Sequence, residues 1–272
     1  MKTTLIVENN NQLQDFYSIN LHTWVASTCI AKAEAKLAMH YLSENKDQIN
    51  LIITKAKVGT ERSAEAIFQY LLDNGLDIPM LVIGDSSLAD SGVTHIFSAL
   101  SIKEIIQYSA KELNVTAKDM AAISVPDYFE IPIQHFFTLK EPICDIYQAT
   151  EDSFSLYINS LNEINHTEIK KMDEAGTRSL FVKKNDRLKF VTNINQEIAS
   201  KLVLDDLNED EQVTAVEMSQ QLLQAKIKRM GITDETVQLA QRNLIAMAKS
   251  AKKVPNLKPV SYTHLTLPTT PY

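Results

Sequence analysis

Short apolar runs alternate with helical repeats through residues 1–120. The stretches TTLIVENN, LIIT, IPMLVIG and THIFSAL are typical of buried strands, and WVASTCI predicts a weaker strand after the first of them. Between these runs, apolar residues recur every three or four positions, which predicts one helix through Leu13 and Leu21 and others in AEAKLAMHYLSEN, SAEAIFQYLLDNG and SIKEIIQYSAKEL. This alternation predicts an α/β domain with a doubly wound parallel sheet of five strands, where functional groups lie at the carboxyl ends of the strands.

Two of these helices carry recognisable end signals. Gly75 follows SAEAIFQYLLDN in the position of a C-terminal cap. Ser101 precedes the last helix and Glu104 comes three residues later, which predicts a capping box at its start.

The pattern changes near Ala122, where we place a domain boundary. Two prolines interrupt ISVPDYFEIPIQHFF, and CDIYQATEDSFSLYINSL predicts a hairpin around the turn TEDS. A helix follows, with Asn165 and Glu168 spaced as a capping box and Gly176 at its end, and then a strand in RSLFV. Residues 123–195 are therefore predicted to form a small α/β domain with a mixed or antiparallel sheet.

Residues 197–258 have the pattern of two long helices, which we interpret as a helical stalk or linker. The first ends at Gly231, and Thr233 stands as the N-cap of the second. The second helix has a broad apolar face made of Val237, Leu239, Ala240, Leu244, Ile245 and Met247. We expect this face to be incompletely buried and to promote association through the stalk into a homodimer.

Charge and hydropathy exclude several classes of protein. The formal net charge of −7 and the isoelectric point near 5.4 argue against a nucleic-acid partner, because such binding relies on clustered Lys and Arg. No apolar run approaches the roughly 20 residues that span a bilayer. We therefore expect a cytoplasmic protein with no membrane contact and no DNA or RNA partner.

The sequence offers no recognisable metal or cofactor site. Its cysteines, Cys29 and Cys144, lie far apart without a CxxC spacing, and its six histidines are scattered. Only six glycines occur, and no glycine-rich phosphate loop is among them. We expect no cofactor, no metal and no catalytic residue in this chain.

Residues 1–120 resemble a response-regulator receiver domain in element order, length and strand positions. In that family an acidic pair after the first strand and an aspartate after the third bind Mg²⁺, and the aspartate accepts a phosphoryl group. A Thr or Ser ends the fourth strand and a Lys ends the fifth. The corresponding positions here hold Glu8 and Asn9, Lys55, Gly84, and Ser98 or Ala99.

Lys55 replaces the phosphate-accepting group in this resemblance. A protonated lysine has neither a free lone pair nor a negative charge, so we expect no phosphotransfer and interpret the domain as a pseudo-receiver. Lys55 either forms an ion pair with Glu8, one loop away, or extends into solvent.

The segments CDIY and AG…LFVKKND resemble the small regulatory domain that precedes HD and HD-GYP phosphohydrolase domains in bacterial signalling proteins. The resemblance implies a non-catalytic regulatory region of a cyclic dinucleotide phosphodiesterase, truncated before its catalytic domain. The partner would be that lost domain or another protein. The alternative is a stand-alone docking scaffold without enzymatic activity.

The last segment, VSYTHLTLPTTPY, has no charge and no amphipathic period. It resembles a conceptual translation of a transposon-end sequencing adapter. We therefore exclude residues 260–272 from the fold as an adapter-derived artefact and expect the natural C-terminus to be lost.

Overall fold

The computed structural model describes residues 2–122, 124–125, 127–150, 153–205 and 207–253. The adapter-like segment 260–272 lies outside these residues. Within the described ranges, no helix combines the length and the apolar character needed to cross a membrane.

The first sheet is parallel throughout. Its strands are β1 (Lys2–Val7), β2 (Ser27–Lys32), β3 (Leu51–Lys55), β4 (Met80–Ile83) and β5 (Thr94–Ile96). They follow the order β2-β1-β3-β4-β5, which is the flavodoxin-like order of doubly wound folds. The predicted five-stranded α/β fold is confirmed.

Helices cover both faces of this sheet. They are α1 (Asn11–Val25), α2 (Ala35–Asn45), α3 (Ser63–Asp73) and α4 (Ile102–Glu112), with a 3₁₀ helix, Ser87–Ser91, between β4 and β5. Successive residues of a strand point to opposite faces, so Leu5 and Val7 join the core under α2 and α3 while Ile6 joins the core under α1 and α4.

The ends of these helices differ from expectation at two points. Helix α1 continues through Val25 and stops at Ala26, whose φ of 52° is left-handed, so β2 starts three residues later than the WVASTCI pattern predicts. The prediction of a capping box at Ser101 and Glu104 is wrong. Ser101 has φ −72° and ψ 55°, not the extended geometry that directs a hydroxyl at the helix, and its side chain makes no cap hydrogen bond. The Gly75 cap is confirmed, with φ +59°.

A second, antiparallel sheet follows. After α5 (Ala117–Ala122), its strands are β6 (Ser124–Val125), β7 (Tyr128–Pro132), β8 (Ile146–Ala149), β9 (Phe154–Ile158) and β10 (Ser179–Lys183), in the order β6-β7-β10-β8-β9. The predicted hairpin is β8 and β9. Helix α6 (His166–Glu174) precedes β10, and the Asn165 side chain accepts hydrogen bonds from the N–H groups of Thr167 and Glu168, as an N-cap does. The Glu168 carboxylate accepts from the Tyr157 hydroxyl.

The C-terminal helices are α7 (Arg187–Leu202), α8 (Glu209–Met230) and α9 (Asp234–Lys253). Helix α7 begins inside the range predicted for the small domain and packs between α1 and α8, and α9 packs on α8. Phe190 and Ile194 of α7 share one buried cluster with Phe16 of α1 and Ile131 of β7. The helices predicted as a stalk, α8 and α9, thus do not extend away from the fold: α8 packs on α7, which lies in the core shared with both sheets.

The apolar face of α9 is only partly covered. Leu239 is buried against α8, but Val237, Leu244 and Ile245 retain 43%, 62% and 51% of their exposure. Incomplete burial of this face is confirmed for these three residues. The reason is that α9 directs a partly polar side toward α8, where Asn243 accepts a 2.6 Å hydrogen bond from the Ser219 hydroxyl.

Candidate functional site

The carboxyl ends of β1 and β3 bring the predicted receiver-like residues together. Glu8 directly follows β1, Lys55 ends β3, and these two strands are paired neighbours. A cleft of about 320 Å³ opens beside them, which we name the carboxyl-edge cleft. It is lined by Asn9, Asn10, Leu13, Lys55, Asp205 and Leu207.

Glu8 and Lys55 form the ion pair that the sequence left as one of two alternatives. Lys55 Nζ lies 3.7 Å from Glu8 Oε1, with Glu8 1% exposed and Lys55 39% exposed. The Asn10 N–H donates to the same carboxylate oxygen at 2.9 Å. Burial raises the pKa of Glu8 above its ordinary value, and Lys55 and the Asn10 N–H oppose this rise only in part.

The remaining receiver-like positions carry no equivalent chemistry. Gly84 follows β4 with φ +98°, so a serine or threonine there would be strained, and its N–H donates to Ile96 O at 2.8 Å. Ser98 lies after β5, and its hydroxyl accepts the Leu100 N–H at 3.3 Å. The loop after β5 therefore uses Ser98 to fix its own turn.

Residues from the C-terminal helices also reach this edge, and the sequence did not predict them. We call residues 203–205 and 207–211 the α7–α8 segment. Asp205 Oδ2 accepts from the Asn10 side-chain amide at 2.9 Å, and Glu211 Oε1 accepts the Ala99 N–H at 2.7 Å. Leu207 is buried in the core under α1 and α4 and also lines the cleft. The only sequence signal here is the Asn208–Glu211 capping box, which marks a helix start and not a contact.

A buried tyrosine hydroxyl shares this acidic environment. Within the described part of the chain, Tyr17 Oη and Glu8 Oε2 are buried without a hydrogen-bond partner. Burial, followed by the nearby charges of Glu8 and Glu211, raises the pKa of Tyr17 well above its ordinary value. The hydroxyl stays protonated, so the acids and Lys55 alone set the charge of this edge.

The residues at the carboxyl edge do not fit the Mg²⁺ ion that the receiver resemblance implies. A hard cation needs several oxygen ligands, whereas Glu8 is already paired with the Lys55 ammonium. Across the described ranges, no group of three or more His, Cys, Asp or Glu side chains is arranged to hold a metal ion.

Comparisons with known proteins find solved structures that resemble the first sheet and its helices. No protein-family model and no curated protein matches the sequence. The chain is similar to a response regulator receiver domain protein from Clostridium thermocellum, with 9% identity and a TM-score of 0.37, over 42% of this chain and 95% of that one. It is also similar to a two component transcriptional regulator AraC from Clostridium phytofermentans ISDg, with 14% identity and a TM-score of 0.36, over 45% and 99% of the two chains. The structural neighbours of this chain are therefore response regulator receiver domains, matched over less than half of its length.

Proposed function

We propose that this chain is a non-catalytic regulatory region of a signal-transduction protein. Its receiver-like sheet would dock a partner and would not accept phosphate. The observation that carries this proposal is the Lys55–Glu8 ion pair at the end of β3, with its nitrogen and oxygen 3.7 Å apart. An ammonium at that position cannot attack a phosphoryl donor, and its charge repels a divalent cation from the only carboxylate at the end of β1.

Phosphoryl transfer tests the proposal directly. We expect no mass increase when the protein is incubated with acetyl phosphate and Mg²⁺, because the end of β3 offers no carboxylate. Lys55→Asp should gain weak Mg²⁺ binding, since its carboxylate would stand beside Glu8 at a cleft that Asp205 also lines. It should still phosphorylate poorly because Gly84 supplies no hydroxyl. Intact-protein mass spectrometry and calorimetric Mg²⁺ titration make these measurements.

The matched control is Lys57→Asp, which makes the same charge change at an exposed lysine two residues away. It should gain neither Mg²⁺ binding nor a phosphoryl group. A stable phosphoryl group on the unmodified chain, mapped to the carboxyl-edge cleft, would overturn the proposal.

The regulated activity that we propose is a metal-dependent phosphohydrolase of the HD or HD-GYP class. This finer assignment is supported by the resemblance carried by CDIY and LFVKKND. Reading the same locus past Pro259 tests it. An adjacent His-Asp pair within the next hundred or so residues would favour it, and an immediate stop codon would favour the stand-alone scaffold.

Self-association is the second candidate property, and the exposed face of α9 favours it. We expect a concentration-dependent dimer in sedimentation velocity, because Val237, Leu244 and Ile245 form an apolar patch. Leu244→Glu should abolish the dimer, since a charge at this patch opposes burial. Gln238→Glu, at an exposed polar position of α9, should leave it intact. A wild-type protein that stays monomeric at all concentrations would contradict this expectation.

A further inference from the structure

Two histidines are buried where helix α1 meets the antiparallel sheet. His22 lies in the last turn of α1 and is 6% exposed, and His135 lies in the 3₁₀ helix Ile133–Phe137, which follows β7, and is fully buried. The His22 ring packs edge-on against Phe129 of β7, with the two ring centroids 6.0 Å apart. Both imidazoles therefore belong to the contact between α1 and the antiparallel sheet.

This contact is built for neutral imidazoles. Both ring nitrogens of His135 are buried, and neither has a hydrogen-bond partner among the residues that the structure describes. His22 Nε2 donates to Glu130 O at 3.3 Å, which uses a single N–H of a neutral ring. Burial lowers the pKa of His135 to about 3, and the nearby His22 lowers it as well. Burial also lowers the pKa of His22.

The charged groups around His22 do not make a proton there favourable. Arg187, at the start of α7, has its guanidinium carbon 4.5 Å from the centroid of the Phe129 ring, and its positive charge lowers the pKa of His22. Glu130 acts in the opposite direction, but its carboxylate already accepts the Ser179 hydroxyl at 2.5 Å. The effect of burial is the largest of these, so His22 stays neutral in the closed structure.

The titratable groups packed beside the 3₁₀ helix have partners of their own. Asp15 of α1 accepts the Thr138 hydroxyl at 3.3 Å, and Lys201 of α7 donates to Thr138 O at 3.1 Å. His166 of α6 donates to the next carbonyl along the chain at 2.6 Å. A proton added to His135 would therefore place a charge in the core without an acceptor for either ring N–H.

We propose that His22 and His135 form a pH-sensitive lock between helix α1 and the antiparallel sheet, closed while both imidazoles are neutral and opened by acid. An imidazole that takes up a proton leaves the contact, because burying its unpaired charge costs more than hydrating it. The lock goes beyond the proposed function and does not depend on it, since phosphotransfer at Lys55 plays no part in the opening.

The direction of the pH effect follows from which state binds more protons. A histidine exposed by opening has its ordinary pKa near 6.5, whereas His135 in the closed state has a pKa of about 3. The open state therefore binds an additional proton between these values, and stability is lost as the pH falls below 6.5. For His135 alone, the equilibrium constant for opening should rise about thirtyfold between pH 7.5 and pH 5.0.

His135→Leu removes the titrating group and keeps an apolar side chain at the buried position. Between pH 7.5 and pH 5.0, the unfolding constant of the wild type in urea should rise about thirtyfold more than that of His135→Leu. The matched control is His40→Leu, at an exposed position of α2, which should keep the pH dependence of the wild type. Equal pH dependence of the wild type and His135→Leu would overturn the lock.

If His135→Leu is unfolded at pH 7.5, His22→Gln takes its place, because its amide keeps a donor for Glu130 O. The rise in the unfolding constant should then be smaller than in the wild type, and an equal rise would again overturn the lock.

Hydrogen exchange with mass spectrometry separates opening of this contact from unfolding of the whole chain. After correction for the intrinsic pH dependence of exchange, wild-type amides of α1 and β7 should exchange roughly tenfold or more faster at pH 5.0 than at pH 7.5. Amides of α3, whose apolar residues lie in the other core, should not. Acceleration of equal size in α3 would show that acid unfolds the chain as a whole and that no lock exists.

Discussion

Lys226→Met should lower the free energy of unfolding by about 3 kcal/mol at neutral pH, because it leaves the buried Glu197 carboxylate without its cation, whereas Glu235 keeps Lys140. Lys226 is 8% exposed, and its Nζ lies 3.0 Å from Glu197 Oε1 and 2.9 Å from Glu235 Oε1. These contacts join α7, α8 and α9 at one point. Urea unfolding followed by circular dichroism measures the loss.

The pH dependence of this loss follows from the shifted pKa values. Burial would lower the pKa of Lys226, but Glu197 and Glu235 raise it above its ordinary value. Burial would raise the pKa of Glu235, but Lys226 holds it below its ordinary value. Stabilisation by Glu235 is therefore present above its unfolded-state pKa and is lost as the pH falls through the folded-state value. The difference between wild type and Lys226→Met should shrink in acid.

Lys228→Met is the matched control on the same helix. Lys228 is exposed, so its replacement should change the free energy of unfolding by no more than about 0.5 kcal/mol. Equal losses for the two variants would show that the buried ion pairs do not stabilise the helical layer.

Phe190→Ala should cost about 3–5 kcal/mol, because it opens a cavity where helix α7 meets both sheets. Phe190 is fully buried, and its ring centroid lies 5.4 Å from that of Phe136. Since its cluster also contains residues of β3 and β10, we expect amide exchange to accelerate in both strands. Hydrogen exchange with mass spectrometry measures this, together with urea unfolding.

Leu188→Ala is the control for this core substitution. Leu188 is an exposed apolar residue of the same helix, so its loss should leave both exchange rates nearly unchanged. Faster exchange in β10 with unchanged exchange in β3 would mean that the two sheets unfold separately, as the predicted domain boundary near Ala122 would suggest.

The local pattern of apolar residues was sufficient to predict most strands and helices of this fold. Buried strands such as LIIT and helices with an apolar stripe appear where their periodicity places them, because a strand or helix buries the same face whatever its partner. The errors in prediction concern the residues at which helices and strands begin and end. Ser101 has the right residue type for a cap, but its backbone angles depend on the turn that Ser98 and Leu100 form before it. Such a turn is a property of several residues together.

The sequence predicted only the part of the candidate site that the first sheet contributes. Glu8 and Lys55 could be placed at adjacent strand ends because parallel strands of this fold meet at one edge. Whether they pair could not be read from the sequence, since a lysine side chain reaches solvent as easily as a neighbour. The structure decides this through the burial of Glu8, which makes a nearby cation favourable.

The amino-acid sequence alone is enough to exclude a phosphate-accepting carboxylate at the end of β3, because Lys55 has none in any fold. Residue periodicity along the sequence also predicted the two sheets and the helices after them. The assembled structure is needed to place α7 in a core continuous with both sheets, and to bring Asp205 to the carboxyl-edge cleft and Glu211 to the loop after β5. The physical reason is that these contacts join side chains more than a hundred positions apart, and the free energy of such packing depends on the assembled shape and not on any local pattern.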